Sequence, residues 1–443
     1  MLRHDVTALL LGLLALWGGA PVAMAAPPAP ALDCHVGLYA LARDGTTLDI
    51  APTDGPALRW RRPDGRSGLF TPGGDGASTL GWTGRADGVH IRVGDCASHR
   101  IDVDGVRADR VPLVTTDTHF TTDDGVVLAG RLVMPPGTDR VPMVVLLHGS
   151  EHDAALPFNS LQRRFPAEGI GTFVYDKRGT GASGGHYTQD FDRLARDAVA
   201  ASREALRLAG ARAGRIGYQG PSQGGWIAPL AAMQAPVDYV LVTFGLAVSV
   251  LEEDRSAIAL DMAVKGHGPE AMGGALALAD ACAVFAMNPT DAAFDRFDAV
   301  RARYRREPWF GDVHGDFCFF LLALEKQQLP ALADMKDWHT PWAFDPLATI
   351  QQLPMPQLWI LAQDDRDAPS TETARRLRLL RESGRPITTA VFPRTEHGIL
   401  EYETAPDGTR HDTRHPEGYV RLMADFIRGA PLQARYGTAW LER

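Results

Sequence analysis

From residue 113 onward, short uninterrupted apolar runs alternate with longer stretches whose apolar positions recur every three or four residues. The runs are Met143–Leu147, Gly171–Tyr175, Val237–Phe244, Leu358–Leu361 and Ile387–Phe392. A strand that is apolar at every position has no wet face, so these read as strands buried on both sides. Between them, Ser160–Phe165 reads as a short helix. Phe191–Leu208 reads as an amphipathic one, with Phe191, Leu194, Ala198, Ala205 and Leu208 near helical spacing. A helix over Gly418–Ile427 closes the pattern. Thr118–Thr122 and Val126–Val133, split by Asp123-Asp124-Gly125, read as a hairpin. Buried strands alternating with helices predict a mostly parallel sheet covered on both faces, an α/β fold. Residues 249–340 are mostly helical in pattern and interrupt the alternation, as an inserted cap would.

Residues 32–112 follow a different rhythm. Short runs such as Val36–Leu41, Leu58–Trp60 and Val89–Val93 lie between turns at Arg43-Asp44-Gly45, Pro63-Asp64-Gly65, Gly73-Gly74-Asp75-Gly76, Ala86-Asp87-Gly88 and Val103-Asp104-Gly105. They predict a small all-β domain, a sandwich or a barrel. Asp102-Val103-Asp104-Gly105 lacks the ligand series and closing Glu of a calcium loop and reads as a β-turn. Ahead of this domain come Arg3 and His4, apolar Ala8–Trp17, and Ala23-Met24-Ala25. Together they read as a secretory signal peptide over residues 1–25, cut after Ala25. Residues 26–31 read as a disordered Pro/Ala-rich stub. The expected organisation is therefore leader, stub, all-β domain over 32–112, and α/β domain over 113–443 carrying the cap.

Composition narrows the partners. A net charge of −9 over 443 residues argues against nucleic acid and anionic membranes. No 18-residue apolar span is read after the leader, so no membrane span is expected in the mature chain. The cysteines are Cys34, Cys96, Cys282 and Cys318, an even number in an exported chain. Their spacing suggests Cys34–Cys96 and Cys282–Cys318 bridges. None lies in a C-x-x-C, so no metal is expected. The run Gly179–Gly185 lacks the order of a phosphate loop, and no cofactor is expected. Leader and composition point to a periplasmic or secreted bacterial protein. Oligomeric state is not legible.

The chemistry centres on Gly220-Pro221-Ser222-Gln223-Gly224. It follows a short strand-like run, Arg215–Gln219, and precedes an Ala-rich helical one. A serine at a sharp strand-to-helix turn is a nucleophile elbow, and the residues two before and two after must be tiny. Such a serine needs a base and a group to orient that base. His397 follows the last buried strand. The loop Ala362–Pro369 offers Asp364, Asp365 and Asp367 after the neighbouring strand, and any of the three could face His397. His411 and His415 lie in a charged stretch and read as surface residues.

These motifs resemble the α/β-hydrolase superfamily from about Thr116 to the C-terminus, and within it bacterial esterase-like and serine aminopeptidase-like hydrolases. The likeness rests on His148-Gly149-Ser150, Asp176-Lys177-Arg178-Gly179-Thr180-Gly181-Ala182-Ser183 and Ser222-Gln223-Gly224-Gly225, in that order. It implies an acid four residues before Pro369, which is Asp365. It also implies an oxyanion hole from the backbone N–H groups of Gln223 and Ser150. The expected function is a serine hydrolase acting on an ester of a small or medium apolar acyl or aryl group. The substrate would be a small-molecule ester, or a short peptide in the peptidase reading, and the substrate-binding residues are not legible. An aminopeptidase would need acids to hold the substrate's amine, and Glu151, Glu252, Glu253 and Asp254 are candidates. An acyltransferase and a non-catalytic binding protein are further alternatives. The cap aromatics Trp309, Phe310, Phe317, Phe319, Phe320, Trp338, Trp342 and Phe344 are expected mostly to form the cap's own core, with one or two lining the pocket.

Overall fold

The computed structural model describes residues 32–443 apart from 74, 81–83 and 332–338, and of Pro330 and Ala331 it describes the backbone only. The leader and stub read over residues 1–31, and Trp338, lie outside the described residues. Strands β1 (Gly37–Leu41), β2 (Thr47–Pro52), β3 (Leu58–Arg61), β4 (Ser67–Phe70), β5 (Ala77–Thr79), β6 (Ala86–Val93), β7 (Arg100–Val103) and β8 (Val106–Arg110) close into an antiparallel barrel, β8 pairing back onto β1. Of the two architectures left open, closure wins. Tyr39, Leu48, Ile50, Trp60, Phe70 and Ile91 fill one interior, and Trp60 donates its indole N–H to Ser78 Oγ at 2.8 Å. Asp104 and Gly105 both have positive φ, 52° and 79°, which makes the β7–β8 connection a tight hairpin turn of the primed kind. Ala86-Asp87-Gly88 is not a turn: it begins β6. Cys34 and Cys96 form a disulfide.

The second sheet has ten strands. They are β9 (Val114–Thr121), β10 (Val127–Met134), β11 (Val141–Leu146), β12 (Gly171–Tyr175), β13 (Ala213–Pro221), β14 (Tyr239–Thr243), β15 (Gln357–Ala362), β16 (Ile387–Phe392), β20 (Arg435–Tyr436) and β21 (Ala439–Glu442). Their order is β20-β21-β16-β15-β14-β13-β11-β12-β10-β9. From β12 through β16 all neighbours are parallel, and the edges are antiparallel. The described α-helices of five residues or more are α1 (Leu161–Ala167), α2 (Phe191–Ala209), α3 (Gly224–Gln234), α4 (Val250–Val264), α5 (Pro269–Met287), α6 (Asp291–Tyr304), α7 (Cys318–Leu322), α8 (Thr371–Glu382) and α9 (Tyr419–Arg428). The two-residue period of a strand splits each central run between two cores. Met143, Val145, Trp359 and Leu361 pack with Phe191, Leu194 and Trp226 of α2 and α3. Val144, Leu146, Leu358 and Ile360 pack with Phe165 of α1 and Leu422, Met423 and Phe426 of α9. The strands β20 and β21, and a small sheet of β17 (Thr395–Glu396), β18 (Leu400–Thr404) and β19 (Arg410–Arg414), were not legible in the sequence. They are short and rich in charge, so they show no apolar run.

Helices α4 to α7 interrupt the alternation and build a separate core around Leu278, Phe285, Phe294, Phe297 and Trp309. The Cys282–Cys318 disulfide ties α5 to α7. Contrary to the expectation of no long apolar span, α5 is apolar enough to cross a membrane by length and composition, with a mean hydropathy of 1.4 over its best window. Here it is a bundle helix, with Leu278, Cys282 and Phe285 buried in the cap core. Trp342 and Phe344 also depart from expectation. They pack on the sheet core, Phe344 edge-on to Phe191 at 5.6 Å, and so anchor the cap rather than fill it.

Candidate active site

Strand β13 runs through the middle of the sheet and ends at Pro221. The next residue, Ser222, has φ 49°, in the left-handed region that a side chain normally avoids. Its N–H donates to Thr243 O at 3.0 Å, and its carbonyl accepts from Gly225 at 2.7 Å. The turn is held by close approach. A Cβ on Gly220 would lie 2.1 Å from the Gly224 carbonyl oxygen, and one on Gly224 would lie 2.9 Å from His148 O. Only glycine fits either position.

The turn aims Ser222 at His397, which follows β17. Ser222 Oγ is 3.1 Å from His397 Nε2, and His397 Nδ1 is 3.0 Å from Asp365 Oδ2. Asp365 is 2% exposed, and its other oxygen accepts the N–H groups of Asp367 at 3.1 Å and Ala368 at 2.8 Å. Of the three loop carboxylates, Asp365 is therefore the one bonded to His397. Asp364 instead accepts Tyr402 Oη at 2.7 Å, and Asp367 acts on His397 through its charge. Burial disfavours a charged imidazole, but Asp365 first, then Asp367 and Asp316, outweigh it and hold His397 up at about 9. The phenyl ring of Phe244 meets the imidazole edge-on at 4.9 Å.

On the other side of Ser222 stands the loop after β11. A Cβ on Gly149 would stand 3.5 Å from Ser222 Cβ. The N–H groups of Ser150 and Gln223 bond to nothing among the described residues, as donors awaiting a ligand would. The carbonyls flanking Ser150 are both pinned. Lys177 Nζ donates to Gly149 O at 2.9 Å, and Tyr187 Oη donates to Ser150 O at 2.6 Å. The ammonium lies 4.8 Å from the centre of the Tyr187 ring. Burial pushes Lys177 down to about 8, with Glu151 and Asp153 opposing. Gln189 links Tyr187 to the Gln223 side chain. The sequence reading missed Lys177 and Tyr187. Its one available signal was a lysine directly after a buried strand, inside a motif already singled out. The rest of that motif is structural: Asp176 accepts Leu156 and Ala182 N–H, each at 2.9 Å, and Arg178 clamps Asp197 and Asp124.

The acids considered for holding an amine separate into different roles. Glu252 caps α4 with Ser249 and pairs with Arg376 at 2.5 Å. Asp254 accepts three backbone N–H groups, from Asp316, Phe317 and Cys318, and so pins the start of α7. Glu151 sits beside Gly149. Glu253 lies on the His397 side: burial, then Asp316 and Asp365, raise its carboxyl well above the usual range. Asp316, which the sequence reading did not single out, stands near His397. Its side chain is exposed to solvent, and desolvation by the protein around it, followed by Asp254 and Asp367, brings it to about 7. His415 is not a surface residue either. It is half-buried between the barrel and α9, its ring stacked on Tyr419 at 5.1 Å.

A parallel sheet with a strained serine at the tip of a central strand is the α/β-hydrolase architecture, and the chain resembles that superfamily. Residues 139–261 match the family model described as serine aminopeptidase, S33. That segment carries Ser150, Lys177 and Ser222 but ends before Asp365 and His397. No curated protein matches the chain. Solved structures similar to it include an esterase from Pyrococcus furiosus, 14% identical over 65% of this chain and 84% of that one, TM-score 0.41. An α/β hydrolase from Penicillium sp. sh18 is 20% identical over 64% of this chain and 91% of that one, TM-score 0.39. An acylaminoacyl peptidase from Pyrococcus horikoshii is 16% identical over 79% of this chain and 52% of its own length, TM-score 0.40. The fold is that of the α/β hydrolases, and within it residues 139–261 resemble the serine aminopeptidase S33 family.

Proposed function

We propose that the chain is a serine esterase that cleaves esters of small or medium apolar acyl or aryl groups through an acyl-enzyme. The observation that carries this is the unbroken relay from Ser222 Oγ through His397 to Asp365, at 3.1 and 3.0 Å. In this reading Ser222 attacks the ester carbonyl while His397 Nε2 takes its proton. The carbonyl oxygen becomes an anion and is met by the N–H groups of Gln223 and Ser150. The tetrahedral centre collapses, His397 returns the proton to the leaving alcohol, and water then repeats the sequence to free the acid. The two disulfides fit a protein that works outside the cytoplasm, in the periplasm or secreted.

One observation favours a second reading, a serine aminopeptidase-like peptidase. Asp316 and Asp367 act on His397, and Glu253 lies among the same carboxylates, where they could hold a substrate ammonium. The ester reading stays first because burial raises both the Glu253 and Asp316 carboxyls, Asp316 to about 7, which weakens them as partners for an ammonium. A fluorophosphonate should label wild-type protein at Ser222 and leave Ser222→Ala unlabelled. That variant should lose about 10⁴–10⁶ in kcat. A folded wild-type protein that resists labelling removes the enzyme reading altogether. Nitrophenyl esters set against aminoacyl anilides separate the two substrate classes, and the esters are expected to turn over faster.

A further inference from the structure

The barrel meets the α/β half across a seam of guanidinium groups. Arg59 and Arg61 lie two apart on β3, so both leave the barrel on its outer side while Trp60 fills the core. Arg163 and Arg164 come from α1. The carboxylate among them is Asp49 of β2, 1% exposed, which accepts Arg163 Nε at 2.5 Å and Arg61 Nη1 at 3.3 Å. Arg164 is 8% exposed, and its side chain makes no hydrogen bond or ion pair among the described residues. Arg62 Nε is a fully buried donor without an acceptor there. Arg62 does have a distant carboxylate, Asp104, at 4.0 Å from Nη2.

These groups converge on a cavity of about 20 Å³, whose walls include Asp49, Arg61, Arg62, Arg164, Glu168 and Val420. Glu168 is turned to Arg428, 2.7 Å away. Asp49 is neutralised by Arg163 and Arg61. Buried charges ordinarily find partners, yet Arg61 and Arg163 share Asp49, and Arg164 feels Asp49 and Glu168 without bonding either. The resulting field reaches His415, which burial and then Arg164, Arg61 and Arg59 push down to about 3.

We infer that this cavity is a site for one small inorganic anion of chloride size, held by Arg164, Arg62 and Arg61 across the joint between barrel and α/β half. The ligand class follows from charge and room. The donors are guanidinium N–H groups, and a cavity of about 20 Å³ has room for one particle of about water size, which suits a halide best. The anion supplies the missing counter-charge and ties β3 to α1. It acts on the seam and stands apart from the relay around Ser222.

Bromide provides the test. Crystals of the full chain soaked in bromide should show an anomalous peak between Arg61, Arg62 and Arg164. In solution at constant ionic strength, Tm should rise by roughly 3 °C when chloride replaces bulky gluconate. Arg164→Leu should remove that difference. If Arg164→Leu does not fold, Arg62→Gln should reduce it. Density without anomalous signal means a water and overturns the site. A bromide peak with equal Tm in the two salts means binding at crystal concentration only and overturns it too. So does a chloride effect that survives in the variants.

Discussion

The two sides of Ser222 are built from different materials. On the His397 side the elements are charged and lie partly in reach of water. The loop Ala362–Pro369 is braced by the small sheet β17–β19, through Tyr402 on Asp364 at 2.7 Å and through Glu396, which pairs with Arg410 and accepts Arg366 N–H at 3.0 Å. On the Ser150 side the groups that touch the peptides are a buried lysine and a tyrosine hydroxyl, with Glu151 and Asp153 opposite the lysine. Backbone carbonyls are pinned by Lys177 and Tyr187, and among the described residues no carboxylate accepts from the Ser150 or Gln223 N–H. The difference follows from what each side has to do. A proton acceptor needs its charge state tuned, which surrounding carboxylates accomplish. An oxyanion needs dipoles that are already fixed when it forms, which pinned peptides accomplish.

The sharpest way to break this comparison is to remove the charge that orients the base. Asp365→Asn keeps the shape but takes away the carboxylate bonded to His397 Nδ1, and kcat should fall by about 10⁴. Asp367→Asn, whose carboxylate does not bond His397, should stay within tenfold. Steady-state kinetics on both variants checks the assignment, and the reverse pattern would transfer the role to Asp367.

On the opposite side the effect should be smaller and of another kind. A trans peptide points its N–H away from its C=O. The bond from Lys177 Nζ to Gly149 O therefore fixes where the Ser150 N–H points. Lys177→Met frees that peptide without removing it. Loss of one oxyanion donor costs about 10²–10³ in kcat, so loosening one should cost roughly 10–100. KM should hardly move. Affinity for a boronic acid, which mimics the tetrahedral anion, should fall in parallel. A variant that loses stability but keeps kcat would make Lys177 a packing residue only.

The same contrast explains what could be read from sequence. The fully apolar runs gave the parallel strands, because burial on both faces leaves a pattern in one short segment. Ser222 and His397 were legible because their positions follow from strand ends. Asp365 was not separable from Asp364 and Asp367 on spacing alone. Backbone N–H bonds to one carboxylate decide among them, and those depend on loop shape. Lys177, Tyr187 and Asp316 act through contacts across 28, 37 and more residues, or from the separately folded cap, and no local pattern encodes such meetings. The short charged strands β17–β19 were missed because they bury little apolar surface of their own. His415 was misread for a related reason: a polar neighbourhood in sequence says nothing about the barrel that folds over it.

The finest test lies where cap and relay meet. His397 must be neutral to accept the serine proton, and its surroundings hold its pKa at about 9. With the charged form dominant below that value, kcat/KM should climb as pH rises from 7 toward 9 and level off beyond. Asp316 is one of the charges responsible, and with its own value at about 7 it becomes increasingly ionised across this range. Asp316→Asn removes a negative charge, makes the imidazolium less favourable, and should move the ascending limb to lower pH by roughly half a unit to one unit. Activity at pH 7 should then rise a few-fold on a neutral ester, while any turnover of an aminoacyl anilide should fall, since the same carboxylate would hold the substrate's ammonium. If both substrates lose activity with no shift of the limb, Asp316 serves the cap's shape, and the charge tuning belongs to Asp365 and Asp367 alone.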